Sequence, residues 1–151
     1  MKMFAKILYL LLLLVVFSIP NYSQETQQFK DADNQGSAVS AQTAFGKIEN
    51  SISTGNVENL SSYFSSQMYL SLSNGISGYY SSNQAYYVLE DFFKMYQVTD
   101  FKFKNIKEGE DNVFATGLYN YILNEKRESA QVYVSIKLTG KEWKITQLTI
   151  N

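Results

Sequence analysis

The side chains that could carry chemistry in this sequence are carboxylates, tyrosines, lysines and serines, because its 151 residues include no histidine and no cysteine. The absence of both excludes a histidine base or proton shuttle, a thiolate nucleophile and a metal site built from cysteine and histidine. It also excludes disulfide bonds, so an ordinary hydrophobic core must stabilise the fold. We identify no catalytic residue, no metal-binding residue and no cofactor motif in the sequence.

The acidic residues form two small groups, and neither is a paired catalytic site. Glu90 and Asp91 are adjacent on a predicted helix, so their side chains point in different directions and indicate a solvated helix face. Glu108, Glu110 and Asp111 loosely resemble a calcium loop. They lack the alternating oxygen ligands and the closing glutamate of such loops, so we interpret them as a charged hairpin turn.

Tyrosines provide the candidate binding residues. Tyr119 and Tyr121 share one face of a predicted strand, and Tyr133 lies on the less apolar face of the neighbouring strand. If these faces coincide, the three form an aromatic patch opposite the helices, which is typical of an interface. A homodimer contact and a glycan-stacking surface both fit such a patch. The alternative is that the first two tyrosines face the interior with Ala115 and Gly117, because the register of this strand is ambiguous.

The N-terminus has the pattern of a secretory signal peptide over residues 1–23. Lys2 and Lys6 lie in a basic start, an apolar run follows from residue 7 to residue 17, and polar residues lead to a cleavage site near Ser23. The run is shorter than the about 20 residues that span a bilayer, although an uncleaved anchor remains the alternative. We therefore expect export to the periplasm or the cell exterior, and no stable membrane insertion after cleavage.

The remaining sequence divides into a polar leader and one domain. Residues 24–37 are nearly free of aliphatic side chains, which is typical of a flexible leader. Residues 38–151 are long enough for one domain with a single core. The formal net charge is −1 and no basic stripe is present, so nucleic acid is excluded as a partner.

Helical patterns begin the domain. Apolar residues from Ala41 to Ile52 recur at spacings of three and four, and they predict a helix that ends at Gly55. Asn56 is placed to cap a second, shorter helix through Phe64.

A hairpin and a third helix follow. The dipeptide Asn74-Gly75 predicts a tight turn between strands at residues 68–72 and 76–81. The segment Ser81–Gln84 has the residues of a capping box, which predicts the start of the third helix.

Four further strands complete the domain. Alternating apolar and polar residues predict strands near Phe101, at residues 113–123 and at residues 132–138. The last strand breaks strict alternation once, which predicts a bulge near Thr146 or Gln147. The order α-α-β-β-α-β-β-β-β indicates an α+β fold with the helices on the concave face of a curved antiparallel sheet.

This order and three motifs resemble the nuclear transport factor 2-like superfamily. The motifs are the helix end and cap at Ser53–Val57, the apolar face of the third helix at Ala85–Phe93, and the closing segment Gly140–Ile145. The resemblance covers residues 38–151 and implies the cone-shaped, cystatin-like fold shared by ketosteroid isomerases and many polyketide cyclases. Within the superfamily, the sequence is most similar to uncharacterised exported proteins of Bacteroidetes that are known only as a domain of unknown function. The resemblance also implies that a face of the sheet can pair two subunits as a homodimer.

The resemblance further implies where an isomerase of this superfamily would hold its catalytic groups. The position of its oxyanion-binding tyrosine is Ile48 here, and the general-base carboxylate would lie near Leu72, in a stretch without aspartate or glutamate. We therefore expect a non-catalytic exported domain that binds a small ligand or a protein partner. The alternative is an isomerase-type or cyclase-type enzyme with a relocated base, for which Glu90 and Asp91 are the nearby acids.

Overall fold

The computed structural model of the protein describes residues 39–109 and 111–151. The signal peptide and the leader predicted for residues 1–23 and 24–37, and the first residue of the predicted domain, lie outside this part of the chain. The described elements are helices α1 (Ala41–Ser53), α2 (Val57–Ser61) and α3 (Ser82–Met95), and strands β1 (Phe64–Leu72), β2 (Ser77–Ser81), β3 (Gln97–Glu108), β4 (Val113–Leu123), β5 (Lys126–Thr139) and β6 (Glu142–Ile150). Their order is the predicted one, which confirms the α+β class.

The helix ends form where the sequence predicts them. Gly55 follows the last turn of α1 with a φ of 62°, a left-handed conformation that glycine adopts without steric cost. The Asn56 side chain accepts a hydrogen bond from the Asn59 backbone N–H at 2.8 Å and caps α2. Ser81 and Gln84 form both hydrogen bonds of the capping box that starts α3.

The six strands form one curved, unclosed sheet in the order β2-β1-β6-β5-β4-β3. The strands that a hairpin joins pair antiparallel, as predicted, whereas β2 and β3 lie at opposite edges of the sheet and β1 and β6 pair in parallel. The sheet is therefore mixed rather than purely antiparallel. The sequence does not predict this pairing because hairpin signals specify neighbours along the chain, whereas β1 and β6 meet across most of the domain.

Several element bounds differ from the prediction, and one irregularity agrees with it. The largest difference is in β5, which begins at Lys126 instead of residue 132. The second helix ends at Ser61 instead of reaching Phe64, because Phe64 pairs with Ile145 and begins β1 four residues earlier than predicted. The bulge in the last strand lies at Thr146. This residue has no partner in β5, where Ser135 pairs with Gln147 and the next residue pairs with Ile145.

The helices pack on one face of the sheet and enclose the core. The interior side chains are almost completely inaccessible to solvent, and the largest include Phe45, Ile48, Leu60, Met68, Leu89, Phe92, Phe101 and Tyr119. Within residues 39–109 and 111–151, no helix is long and apolar enough to cross a membrane. These interior side chains are therefore not accessible to a partner, and the side chains available for binding lie on the surface.

Candidate functional site

The predicted aromatic patch does not form, because its residues lie on opposite faces of the sheet. Tyr119 is fully buried and Tyr121 is 8% exposed, on the face that packs against the helices. Tyr133 is half-buried and pairs with Thr116, whose side chain lies on the other face of β4. A patch of all three is therefore wrong, and the interior arrangement that the sequence left open is the one observed.

Gly117 shows why this register is favoured. A Cβ atom at this position would lie 2.5 Å from the backbone oxygen of Lys102 and 2.9 Å from Cε2 of Phe101. The inward face of β4 therefore combines small residues, which let β3 and its aromatic side chains approach closely, with two tyrosines that fill the remaining space.

The hydroxyl groups of the two inward tyrosines are weak acids in this environment. The Tyr119 hydroxyl donates a hydrogen bond to the backbone carbonyl of Tyr96 at 2.6 Å, inside the core. Burial raises the pKa of Tyr119, and the neighbouring Tyr121 raises it further. Burial also raises the pKa of Tyr121, with smaller contributions from Glu128 and Tyr96. Both side chains are therefore neutral at physiological pH, and the Tyr119 hydroxyl already has an acceptor.

Aromatic rings surround Tyr119 and leave it no contact with solvent. Its ring centroid lies 6.3 Å from that of Phe92, 6.1 Å from Phe93 and 6.4 Å from Phe101. In the described part of the chain, every buried side-chain nitrogen and oxygen has a hydrogen-bond partner. The side chains around Tyr119 therefore form an aromatic core in which no fully buried polar side-chain atom of the described residues lacks a partner.

The resemblance to isomerases points to Ile48 and to the neighbourhood of Leu72 as the positions of their catalytic groups, and both side chains lie in the core. Ile48 is 0% exposed and Leu72 is 3% exposed. Neither can donate a proton to an oxyanion or accept one from carbon.

The candidate relocated bases lie outside the core. Glu90 is 37% exposed, and its Oε2 atom is 3.1 Å from Nζ of Lys94, one turn along α3. It borders an open groove of about 480 Å³ between the α1–α2 turn, α3 and the start of β3. Asp91 is exposed to solvent. Neither carboxylate is enclosed in an apolar cavity, so the geometry gives no support to a relocated base.

The acidic segment between β3 and β4 is a hairpin turn, as predicted. The Gly109 N–H donates to the Asn112 carbonyl at 2.7 Å, and the Asn112 side chain donates to the Ser135 hydroxyl at 2.7 Å. Within residues 39–109 and 111–151, no group of three acidic side chains is arranged to hold a metal ion.

The outer sheet face, opposite the helices, is the surface that the sequence identified only through Tyr133. Cross-strand partners share a face, so β4, β5 and β6 present two rows of side chains there. The rows consist of Phe114, Ser135 and Gln147, and of Thr116, Tyr133 and Thr149. The rings of Phe114 and Tyr133 stack with centroids 5.6 Å apart. Neither row contains a charged residue.

The sequence does not indicate which face of the sheet is the outer one, because β4 carries large side chains on both faces. Its outward residues include Phe114, Leu118 and Ile122, and its inward residues include Tyr119 and Tyr121. Alternation therefore defines two faces of β4 without showing which is buried. The charged residues at the edge of the sheet, such as Lys107 beside Phe114, are the signal that could have separated them.

Comparison with solved structures shows the same fold in proteins of low sequence identity. A protein of the DUF4783 family from Bacteroides uniformis has a TM-score of 0.63 and 17% identity, covering 70% of this chain and 94% of its own. Another from Bacteroides ovatus has a TM-score of 0.62 and 18% identity, covering 76% of this chain and 96% of its own. A hypothetical protein from Catenulispora acidiphila with a ketosteroid isomerase-like fold, solved with trimethylamine, has a TM-score of 0.57 and 11% identity, covering 71% of this chain and 82% of its own.

Sequence comparison is consistent with these structural matches. No curated protein matches this chain. The profile of the domain of unknown function DUF4783 matches residues 45–151, which is most of the sequence and nearly all of the folded domain. The nuclear transport factor 2-like fold predicted from the motifs is therefore confirmed, and the chain belongs to the DUF4783 family.

Proposed function

We propose that this protein is an exported, non-catalytic binding domain whose partner is a second copy of the same chain. The observation that supports the proposal best is the outer sheet face. On β4, β5 and β6, neither the row that contains Phe114 nor the row that contains Tyr133 includes a charged side chain. Depletion of charge and enrichment in tyrosine and phenylalanine distinguish the centre of protein interfaces from the remaining surface.

The packing of the outer sheet face fits a preformed contact surface. Phe114 and Tyr133 stack on each other and are only half-buried in the single chain, so part of each ring remains available to a partner. A two-fold interface uses the same patch on both subunits, which suits a sheet surface whose central rows are uncharged. The resemblance to nuclear transport factor 2-like proteins adds weight, because in that superfamily an equivalent face often pairs two subunits.

The side chains of the interior support the proposal that the domain is not a catalyst. Ile48 and Leu72 occupy the positions that correspond to an isomerase's acid and base, and the Tyr119 hydroxyl is committed to a backbone carbonyl. A reaction that removes a proton from carbon needs both a base and an acid at the substrate.

Self-association is tested by sedimentation velocity and light scattering on the purified protein. We expect a dimer for the natural sequence and a monomer for Thr116→Lys and Tyr133→Lys, because each places an ammonium group in the desolvated interface. Met95→Lys is the matched control, since Met95 is 59% exposed on α3 and its replacement should leave the dimer intact. A monomeric natural protein, or a dimer that persists in both variants, would overturn the proposal.

Export is proposed from Lys2, Lys6 and the apolar run at residues 7–17. Cell fractionation should place the protein outside the cytoplasm, and N-terminal sequencing should find a mature start near Ser23. A variant without residues 1–23 is the control and should stay in the cytoplasm. Cytoplasmic retention of the full chain would contradict export.

A further inference from the structure

The two uncharged rows of the outer sheet face continue from β6 onto β1 and β2, because Gln147 pairs with Tyr69 and Thr149 pairs with Ser71. Tyr79 on β2 is 71% exposed, more than any other large hydrophobic side chain of the described residues. It pairs directly with Tyr69 on β1, and the two rings meet edge to face with centroids 5.2 Å apart. We call this pair, with Ser71 and Ser77 beside it, the tyrosine platform.

Two contacts orient the exposed side chains of the tyrosine platform. The Tyr69 hydroxyl lies 2.8 Å from Oγ of Ser77, and this hydrogen bond joins β1 to β2. Tyr79 also packs against the ring of Tyr69, and this contact favours an orientation in which an aromatic surface faces solvent.

The sequence around the tyrosine platform carries no charge over a long stretch. Between Asn59 and Leu89 there is no aspartate, glutamate, lysine or arginine, while the stretch contains six tyrosines and nine serines. Tyrosine with serine, glycine and asparagine is the composition of antibody paratopes, where rigid rings supply contact area and small polar groups supply adaptable hydrogen bonds. The same division of roles is present in the tyrosine platform.

We propose that the tyrosine platform binds a neutral oligosaccharide. The face of a tyrosine ring is apolar and its hydroxyl is polar, which matches a sugar ring with C–H groups on its faces and hydroxyls at its rim. Ser71, Ser77 and the Tyr69 hydroxyl can each donate or accept hydrogen bonds to such hydroxyls. The platform offers no cation for a carboxylate, sulfate or phosphate and no carboxylate for an amine, so the ligand is uncharged.

The position of β2 at an edge of the sheet suits a chain of sugars. One side of β2 pairs with β1, and no strand of residues 39–109 and 111–151 pairs with the other side, so Tyr79 is accessible there within this part of the chain. β2 lies two strand spacings from β6, roughly 10 Å at 4.8 Å per spacing, so the tyrosine platform adjoins the rows proposed for the dimer. The two proposals are nevertheless tested separately, because the sedimentation of Tyr79→Ala reports on the dimer and its electrophoretic retardation reports on oligosaccharide binding.

The proposal is tested by affinity electrophoresis of the purified protein in gels that contain starch, xylan, mixed-linkage β-glucan or mannan. At least one of these neutral polysaccharides is expected to retard the natural protein, and polygalacturonate, which is acidic, is not. Tyr79→Ala should weaken the retardation at least tenfold, whereas Tyr79→Phe should retain most of it because the ring face remains. Tyr87→Ala is the matched control, since Tyr87 is 59% exposed on α3 and should not affect binding.

Folding is not expected to obscure these results, because Tyr79 is mostly exposed and its removal leaves the core unchanged. Far-UV circular dichroism and sedimentation of Tyr79→Ala should match those of the natural protein. Three results would overturn the proposal: no retardation by any of the four neutral polysaccharides, equal retardation by polygalacturonate, or unchanged retardation of Tyr79→Ala.

Discussion

Replacing Gly117 with alanine is expected to destabilise the domain, although strand propensity alone predicts the opposite. Glycine inside a strand costs about 0.5–1 kcal/mol relative to alanine, because the unfolded chain loses more conformational freedom. In this structure the added methyl group would lie 2.5 Å from the Lys102 carbonyl oxygen and 2.9 Å from the Phe101 ring. Real Cβ atoms do not approach other heavy atoms this closely, so β3 must move away from β4.

The size of the effect follows from what has to move. Overpacking a core costs about 1–3 kcal/mol, and the upper part of that range applies because the nearest obstacle is backbone rather than a rotatable side chain. The Phe101 ring is also held by Phe103, with centroids 4.9 Å apart. After subtracting the propensity gain, we expect Gly117→Ala to lower the free energy of unfolding by about 1–2 kcal/mol.

Gly46→Ala is the matched control for this experiment. Gly46 lies inside α1, and a Cβ atom there would have no heavy atom within 4 Å. This substitution should therefore raise the free energy of unfolding by about 0.5–1 kcal/mol. Urea unfolding followed by far-UV circular dichroism, at one protein concentration for all variants, measures both changes. The steric argument fails if Gly117→Ala unfolds at the same or a higher urea concentration than the natural protein.

Three further predictions test the interior and the edges of the fold. Tyr119→Phe should lower the free energy of unfolding by about 1–3 kcal/mol, because the buried Tyr96 carbonyl loses its donor. Burial raises the pKa of Tyr119 in the folded state, so the free energy of unfolding of the natural protein should fall as the pH rises above about 10. The free energy of unfolding of Tyr119→Phe should fall less over the same pH range, when both proteins are unfolded in urea at each pH. Glu49→Ala should accelerate hydrogen exchange at the Phe103 amide, which donates to the Glu49 carboxylate at 2.7 Å, whereas Glu49→Gln should have a smaller effect because its amide oxygen can still accept. Asn56→Ala should lower the free energy of unfolding by about 1 kcal/mol in the urea assay, and an unchanged free energy would contradict the role of Asn56 as an N-cap.

The features that could be predicted from the sequence are those that a few adjacent residues determine. Gly55 and Asn56 separate α1 from α2, and the segment Ser81–Gln84 starts α3, because capping depends on side chains within one turn of the helix end. The bulge at Thr146 was also predictable, because a single break in alternation leaves one residue unpaired.

The features that could not be predicted depend on contacts between distant segments. The parallel pairing of β1 with β6 joins residues about 80 positions apart, such as Phe64 and Ile145, and has no local signal. The sequence also does not predict which face of β4 is buried, for a different reason. Leu118 and Tyr119 are both suitable core residues, so only the close approach of β3 at Gly117 determines which of them is buried.

The buried aromatic interior makes binding of a ligand inside the domain energetically costly. Removing one large aromatic side chain from a core costs about 3–5 kcal/mol, and a ligand that displaced Phe92 or Tyr119 would have to recover that energy through new contacts. It would also have to replace the hydrogen bond between Tyr119 and Tyr96. The outer sheet face and the tyrosine platform impose no such cost, because their side chains are already partly exposed and uncharged. Binding by this protein is therefore expected on the surface of the sheet.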